Sequence, residues 1–277
     1  MKEREDKHRI IILGASGFLG NALYRELCAY FKTFGTYCQH NKILERNKHF
    51  FQYKVEEDDI FDILETVRPS IIVSTLRGDF HAQVIAHQHL AEYSRMNGCK
   101  IIFFSSANVF DGYSKYPSYE DDKTLSESIY GHFKIKIENM LLRLPKQQSI
   151  IVRLPMVFGA QSPRIREIKQ HIHEKTAIEI FPNLIMNVTN DFKVTQQIHY
   201  MINRNKSGIF HLGSTDLVHH DDFIKEMIGI LTPIPVHFKH VFTTNEDRYL
   251  AVMPKANKLP KHLQITSHEV LEELQMK

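Results

Sequence analysis

Short apolar runs alternate with helically periodic segments along the first 155 residues. Arg9–Leu13 is an Ile-rich run, the pattern of a strand buried on both faces. A Gly-containing turn follows, and then Leu19, Leu23, Leu27 and Tyr30 recur at helical spacing. Thr33–Cys38 predicts a second strand. Asp59–Val67 predicts a helix that stops ahead of Pro69, because the residue before a proline resists the helical region. Ser70–Thr75 reads as a buried strand and Phe80–Met96 as a helix ending near Asn97-Gly98, a common C-terminal stop. Lys100–Ser105 is a further strand, Ser126–Leu144 a helical stretch closed by Pro145, and Ser149–Arg153 one more strand. Strands alternating with helices imply βαβ units, right-handed crossovers and a parallel sheet. The expected fold class is α/β, a Rossmann-type doubly wound parallel sheet.

After Pro155 the pattern becomes irregular. Helices are expected at Pro163–Lys175, Asp191–Asn203, His220–Leu231 and Ser267–Leu274, mixed with short strands such as Gly208–Leu212. This suggests a nucleotide-binding domain over residues 1–155 and a smaller C-terminal substrate-binding lobe over 156–277. The boundary is soft, and the chain is free to cross between lobes more than once. No internal repeat or low-complexity linker is visible.

Composition narrows the function classes. A chain of 277 residues with 43% hydrophobic content can bury a sizeable core. The net charge is +3, with Lys and Arg scattered, so no nucleic-acid partner is expected. The 17 His residues will raise the charge below neutrality. Cys28, Cys38 and Cys99 are far apart and form no CxxC pair, which argues against a disulfide framework and a zinc site. A reducing, cytoplasmic location is expected. Met1–Arg9 is charged and lacks the apolar core of a signal peptide. No apolar run approaches the roughly 20 residues of a membrane span, so no membrane partner is expected.

Gly14-Ala15-Ser16-Gly17-Phe18-Leu19-Gly20 has the form GxxGxxG. It follows the first strand and opens the first helix, the context that gives such a motif its meaning. Gly14 and Gly17 allow a tight turn and bare backbone against a pyrophosphate. Gly20 lets the helix pack close to the sheet, and the helix N-terminus then faces the phosphates. A plain Gly-rich turn is the alternative; position at the first βα turn favours the cofactor. NAD binding usually places an acid about 20 residues on, against the ribose 2′-OH. Here the stretch reads Cys38-Gln39-His40-Asn41-Lys42 and holds no acid. Asn41 and Lys42 are cofactor candidates, and Lys42 or Arg46 could attract a 2′-phosphate, so NADP is favoured with NAD as the alternative. Both cations read equally as solvated charges. Asp59 and Ile60 could touch the adenine, although Asp59 is equally a helix N-cap.

Tyr130-Gly131-His132-Phe133-Lys134 is a YxxxK pattern on an expected helix. A separation of four puts Tyr130 and Lys134 on one face. A free Tyr, with a pKa near 10, is a poor acid at neutral pH; a neighbouring ammonium stabilises its phenolate. Lys134 can also bind a nicotinamide ribose. Such a pair can move a proton to or from a substrate oxygen while hydride moves on carbon. Ser105-Ser106 ends the strand Lys100–Ser105 region, and ligands gather at the carboxyl ends of parallel strands. Ser106 could hydrogen-bond the reacting oxygen; either serine could be purely structural.

Ser106-Ala107-Asn108-Val109-Phe110-Asp111-Gly112, Tyr119-Glu120-Asp121 and Tyr130-Gly131-His132-Phe133-Lys134 together resemble the extended short-chain dehydrogenase/reductases, above all their dTDP-4-dehydrorhamnose reductase branch, where Val-Phe-Asp-Gly follows the active-site Ser/Thr. Arg153–Gly159 is similar to the family's Arg-x-x-x-Val-Tyr-Gly segment, and Ser207–Gly213 to a strand of the C-terminal lobe. The resemblance implies that Ser106 polarises the substrate carbonyl, that Tyr130 is the general acid in reduction, and that Lys134 lowers the Tyr130 pKa and holds the cofactor ribose. It also implies that Gly14, Ser16, Gly17, Phe18 and Leu19 line the pyrophosphate. It raises a homodimer through the Tyr130 helix and its predecessor. The chain departs from the branch at Ala107, where an Asp is usual, and at Ser74-Thr75-Leu76-Arg77-Gly78, where Asn-Ala-Ala is frequent. Leu76 and Arg77 would lie near the cofactor, Arg77 reading as a phosphate or substrate-anion contact or as a helix-flanking charge. Met156, Val157 and Phe158 would help build the substrate pocket.

His81, His87 and His89 are spaced by six and two residues, which is not the i, i+4 pair of a helical metal site. His171/His173 and His219-His220 lack partners at ligand spacing, so no metal is expected. The leading reading is an NADP-dependent reductase of a keto group on a nucleotide-linked or similar sugar. The alternatives are an NAD-dependent sugar-nucleotide epimerase or dehydratase, and a non-catalytic cofactor-binding regulatory subunit on the same fold.

Overall fold

The computed structural model describes residues 8–113 and 115–275; the segment Met1–Lys7, most of the stretch tested for a signal peptide, lies outside them. The Ile-rich run forms β1 (Arg9–Leu13), whose Ile10, Ile11, Ile12 and Leu13 are wholly buried. Around it lie β2 (Lys32–Tyr37), β3 (Phe50–Gln52), β4 (Ile71–Ser74), β5 (Lys100–Ser106), β6 (Ser149–Leu154) and the strand Gly208–His211. These seven form one parallel sheet, in the order Gly208–His211, β6, β5, β4, β1, β2, β3. The register places Ile10 beside Thr33 on one side and Ile71 on the other. Strand order reverses between β1 and β4, and in such sheets ligands bind outside the carboxyl ends of the strands at that reversal.

The helices follow the expected stripes. α1 (Phe18–Leu27) buries Gly20, Leu23 and Leu27. Tyr30 lies beyond its end and is exposed, because the helix stops at Cys28. α2 (Lys42–Glu45) and β3 were not foreseen; elements of four and three residues are too short to display a period. α3 (Phe61–Val67) ends at Arg68, whose left-handed φ of 48° precedes Pro69. α4 (Phe80–Asn97) is capped by the Asp79 carboxylate and stops at Gly98 with φ 70°. α5 spans Ile129–Leu141, three residues shorter at each end than the apolar pattern suggested. Ser128 Oγ accepts from the Gly131 amide at 3.0 Å, and the Asp111 carboxylate takes both the Glu127 amide and the Ser128 hydroxyl. That cap fixes the helix start.

The chain divides into two compact units. The first holds the residues up to Ser105 together with His132–Val152 and Ile198–Ile209; the second holds Ser106–Gly131, Arg153–Gln197 and the residues from Phe210 on. The chain therefore passes between them repeatedly. The strand Gly208–His211, expected among the short strands of the lobe, instead joins the edge of the large sheet. The second unit contains α6 (Pro163–Glu174), the start of α7 (Asp191–Asn203), α8 (His220–Leu231) and α9 (Ser267–Gln275). Its short strands pair as Met156–Phe158 with Val188–Asn190, Ile178–Ile180 with Phe238–His240, and Leu184–Met186 between Val218–His219 and Arg248–Leu250. Phe158, Ile165, Ile180, Phe223 and Met227 centre its core.

Each core holds neutral histidines. In the first unit, His87 on α4 is fully buried; its Nδ1 donates to the Gln83 carbonyl at 2.6 Å and its Nε2 accepts from Ser74 Oγ at 2.9 Å. Burial pushes its pKa down to about 4. His211 and His220 in the second unit are likewise pushed down to about 4, chiefly by burial. The unfolded chain binds these protons below the ordinary value near 6.5, and the folded chain does not until about 4. Stability is thus unaffected above pH 6.5 and falls as pH drops from 6.5 to 4, by about 3 kcal/mol for His87 alone. Tm should decline steeply over that window; a Tm flat from pH 7 to pH 4.5 would contradict the buried neutral state.

Candidate functional site

In the first unit, the Gly14–Gly20 turn is built around a missing side chain. Gly14 has φ +80°, and its amide donates to Thr36 Oγ1 at 2.9 Å, tying the end of β1 to β2. A Cβ on Gly20 would lie 2.1 Å from the Gly14 carbonyl oxygen, so α1 rests directly on the turn. Thr75 Oγ1 donates to the Leu13 carbonyl at 2.8 Å and closes the other side. The Gly17 amide donates to the Gly14 carbonyl at 2.9 Å. Gly17 is the N-cap of α1 and offers no capping side chain, and the first turn carries no acid. The positive end of the helix dipole at Phe18 and Leu19 is therefore not neutralised locally. Ser16 and Gly17 are exposed, and Phe18 and Leu19 half-buried.

The other cofactor candidates sit in loops after the parallel strands. Asn41 follows β2, but its side chain is used: Oδ1 accepts the Ile43 and Leu44 amides and caps α2. Lys42 and Arg46 are exposed at the two ends of that turn of helix, and His40 pairs with Glu45. Asp59 accepts the Phe61 amide at 2.9 Å just ahead of α3, while the N-cap residue Ile60 is wholly buried in the core and offers a ligand only its backbone. After β4, Leu76 packs against the same core and Arg77 is exposed. Gly78 adopts φ +128°, where a Cβ would meet the Glu56 carboxylate at 2.3 Å.

Lys134 on α5 is nearly inaccessible. Its ammonium donates to the Phe104 carbonyl of β5 at 2.8 Å and lies 4.7 Å and 4.9 Å from the ring centroids of Phe103 and Phe133. Burial pushes its pKa down to about 7; Glu138 opposes the shift and Arg77 adds to it. Beside it, Ser105 Oγ donates to the buried Glu138 carboxylate at 2.5 Å.

In the second unit, Ser106 ends β5 and caps the short 3₁₀ turn Ala107–Phe110. Its Oγ accepts the Asn108 amide at 3.2 Å and donates to Asn108 Oδ1 at 2.9 Å. Tyr130 is exposed in the first turn of α5. Gly131 allows that turn to press on the Ser106 segment: a Cβ there would lie 2.3 Å from the Asn108 carbonyl oxygen and 2.0 Å from Ser126 Oγ. Tyr130 and Lys134 thus share one helix at a spacing of four. Arg153 and Glu120, drawn from two of the motif segments, are buried and structural. Arg153 Nη1 donates to the Glu120 carbonyl at 3.2 Å and its guanidinium lies over the Phe110 ring. Burial works to raise the Glu120 carboxyl, but the amides of Lys255, Ala256 and Asn257 outweigh it and hold the pKa low.

The second unit also encloses a cavity of about 480 Å³, lined among others by Arg164, Glu167, Phe181, His220 and Lys239. The Phe181 amide donates to His220 Nδ1 at 3.3 Å, which leaves the neutral ring's proton on Nε2. Apart from Arg164 and Glu167, which share α6, these residues come from separate segments, so no sequence spacing joined the set. Asn108, Gly131 and Glu138 were also missed; Glu138 had a signal, since it lies four residues after Lys134. Among the described residues no group of three or more His, Cys, Asp or Glu could hold a metal ion, and no helix is long and apolar enough to cross a membrane.

Comparison with known proteins agrees with this fold. A family model described as the RmlD substrate binding domain matches residues 8–246. The bovine (Bos taurus) methionine adenosyltransferase 2 subunit beta is 26% identical over 160 residues, 54% of this chain and 47% of that protein. The dTDP-4-dehydrorhamnose reductase of Aggregatibacter actinomycetemcomitans is 27% identical over 164 residues, 54% of this chain and 52% of that protein. The matched region spans about half the length of these relatives. The crystal structure of the dTDP-4-dehydrorhamnose reductase from Bacillus anthracis str. Ames, in complex with NADP, superposes with a TM-score of 0.79 at 20% identity, covering 98% of this chain and 99% of that one.

Proposed function

Because the chain belongs to the RmlD substrate-binding-domain family, we propose that it is an NADP-dependent reductase of a keto group on a nucleotide-linked sugar. The observation that carries this reading is the Gly14–Gly20 turn, a cradle that a Cβ on Gly20 would fill, placed under an uncapped helix N-terminus. It fits a pyrophosphate. The B. anthracis reductase was crystallised with NADP, which supports the same choice for this chain.

In this reading the backbone of Gly14, Ser16, Gly17, Phe18, Leu19 and Gly20 holds the pyrophosphate. Lys42 and Arg46 take the 2′-phosphate, Asn41 shapes that loop, and Asp59 and the Ile60 backbone meet the adenine. Leu76 and Arg77 flank the dinucleotide, and Lys134 holds the ribose. When bound, the nicotinamide supplies the hydride. Tyr130 gives the proton to the substrate oxygen, the Lys134 ammonium favours the phenolate left behind, and Ser106 donates a hydrogen bond to the developing alkoxide. The Ser106 hydroxyl points at Asn108 Oδ1, so it must turn to the substrate during reaction. The cavity beside Arg164, with the Phe181 ring and the His220 Nε2–H, suits the nucleotide part of the substrate. The exposed apolar side chains Ile85 and Met96 of α4 and Leu142 after α5 are in keeping with a homodimer through those helices.

Replacing Lys42 and Arg46 together by Ala should weaken NADPH binding by about tenfold, on the order of one charged hydrogen bond, and leave NADH binding unchanged. Equal effects on both would remove these residues from the 2′-phosphate. Incubation with NADPH and dTDP-4-dehydrorhamnose, followed by loss of the reduced nicotinamide absorbance, tests the reaction itself.

One observation favours a second reading. The bovine relative is named for a subunit of an adenosyltransferase, not for an oxidoreductase. A non-catalytic, cofactor-binding subunit would bind NADPH and turn over no keto-sugar, and Tyr130→Phe would then change nothing measurable.

A further inference from the structure

The end of β5 and one face of α5 enclose a second pair of buried polar groups beside the Lys134 amine. Lys134 sits in an aromatic box: Phe103 and Phe133 lie on it, and Phe133 itself stacks on Phe80 with centroids 4.4 Å apart. Such a box favours a cation electrostatically, yet it excludes the water that would solvate one. The Phe104 carbonyl supplies one acceptor. One helical turn beyond Lys134, Glu138 is 1% exposed, and its carboxylate is engaged by the Ser105 hydroxyl at 2.5 Å. That bond fixes the carboxylate in place beside the Lys134 turn. We infer that Glu138, anchored by Ser105, is a positioning residue that favours the ammonium form of Lys134 and so sustains its work on cofactor and Tyr130. The inference rests on the reductase reading for what Lys134 does, but not for the charge relation itself.

Titratable groups of both signs act on Lys134. His87 on α4 is held neutral by burial and its two hydrogen bonds, and it feels Lys134 as a like charge if it protonates. Arg77 in the loop after β4 repels the ammonium, and Glu138 attracts it. Burial already brings Lys134 to about 7 with Glu138 in place. Without the carboxylate, the amine becomes neutral across the physiological range.

Lys134 ionisation is read directly from its ¹³Cε resonance in lysine-labelled protein titrated with pH, the Lys134→Met variant supplying the assignment. In Glu138→Gln the transition should move to lower pH by about 1–2 units, and Glu138→Met, which carries neither charge nor a buried amide, should do the same. Glu138→Asp should restore part of the shift. A transition unmoved in Glu138→Gln or Glu138→Met overturns the inference. The unmodified protein offers a second measurement that needs no variant to fold: the backbone-assigned Lys134 ¹³Cε resonance should report an ammonium at pH 6, and a neutral amine there overturns the inference. The underlying reading is tested apart from this by NADPH titration of Lys134→Met. Unchanged affinity there removes Lys134 from the cofactor site, whatever the Lys134 titration shows.

Discussion

Tyr130→Phe should bind NADPH as the parent protein does and lose roughly 10²–10⁴-fold in kcat, the usual worth of a positioned general acid. The substitution deletes one oxygen from an exposed ring in the first turn of α5. The Ser128 cap, the Asp111 carboxylate that fixes it, and the Gly131 contact with the Asn108 carbonyl do not involve that oxygen. The helix should therefore start where it does now, and the unfolding free energy should stay within about 0.5 kcal/mol of the parent's. The check is a pair of numbers from one preparation: kcat with a keto-sugar nucleotide and the calorimetric Kd for NADPH. Full turnover in the variant removes Tyr130 from the chemistry. Lost binding with lost turnover would point to a cofactor role alone.

Gly20→Ala should cost about 3 kcal/mol or more and abolish dinucleotide binding. A Cβ there would sit 2.1 Å from the Gly14 carbonyl oxygen, and 2.8 Å from both the Gly14 carbonyl carbon and Thr75 Oγ1. Two of the three atoms are backbone, so no side-chain rotation relieves the clash. Either α1 slides off the turn or Gly14 leaves its φ of +80°, and either change dismantles the cradle. Gly229→Ala in α8 is the control. A Cβ there meets nothing within 4 Å, and the change should stabilise by roughly 0.5–1 kcal/mol, as expected in a helix interior. Chemical denaturation of the two variants separates steric exclusion from a general effect of replacing glycine. If Gly20→Ala folds and binds NADPH normally, the close packing of α1 on the turn is not what makes the site.

Much of the first unit was legible because its elements are regular. β1 and α4 fall within a residue of their apolar patterns, and the motif Gly14–Gly20 lies where a strand hands over to a helix. Physical clues failed where a side chain overrode a pattern. Apolar periodicity ran back to Ser126, but Ser128 caps the helix and holds its start at Ile129. Asp59 was open between ligand contact and cap; its carboxylate takes the Phe61 amide at the start of α3, with Ile60 turned into the core. Asn41 proved to be a cap. The strand Gly208–His211 reads from sequence like any short lobe strand, because position at a sheet edge is a long-range property. The same is true of the cavity by Arg164 and His220, whose walls are distant in the chain. Glu138 was hidden differently. Charged residues on helices are usually solvated, so its spacing of four from Lys134 did not distinguish it from a surface pair, and the observed burial and the bond from Ser105 do.

The acid-free end of β2 and the Gly-rich turn converge on one quantity, the preference between the two nicotinamide dinucleotides. Calorimetric titration of the unmodified protein with NADPH and, separately, with NADH measures it without a substrate. The account predicts saturable one-site binding of NADPH and markedly weaker binding of NADH. Binding of neither would contradict the reading of the Gly14–Gly20 turn as a dinucleotide cradle, and a preference for NADH would contradict the role given to Lys42 and Arg46.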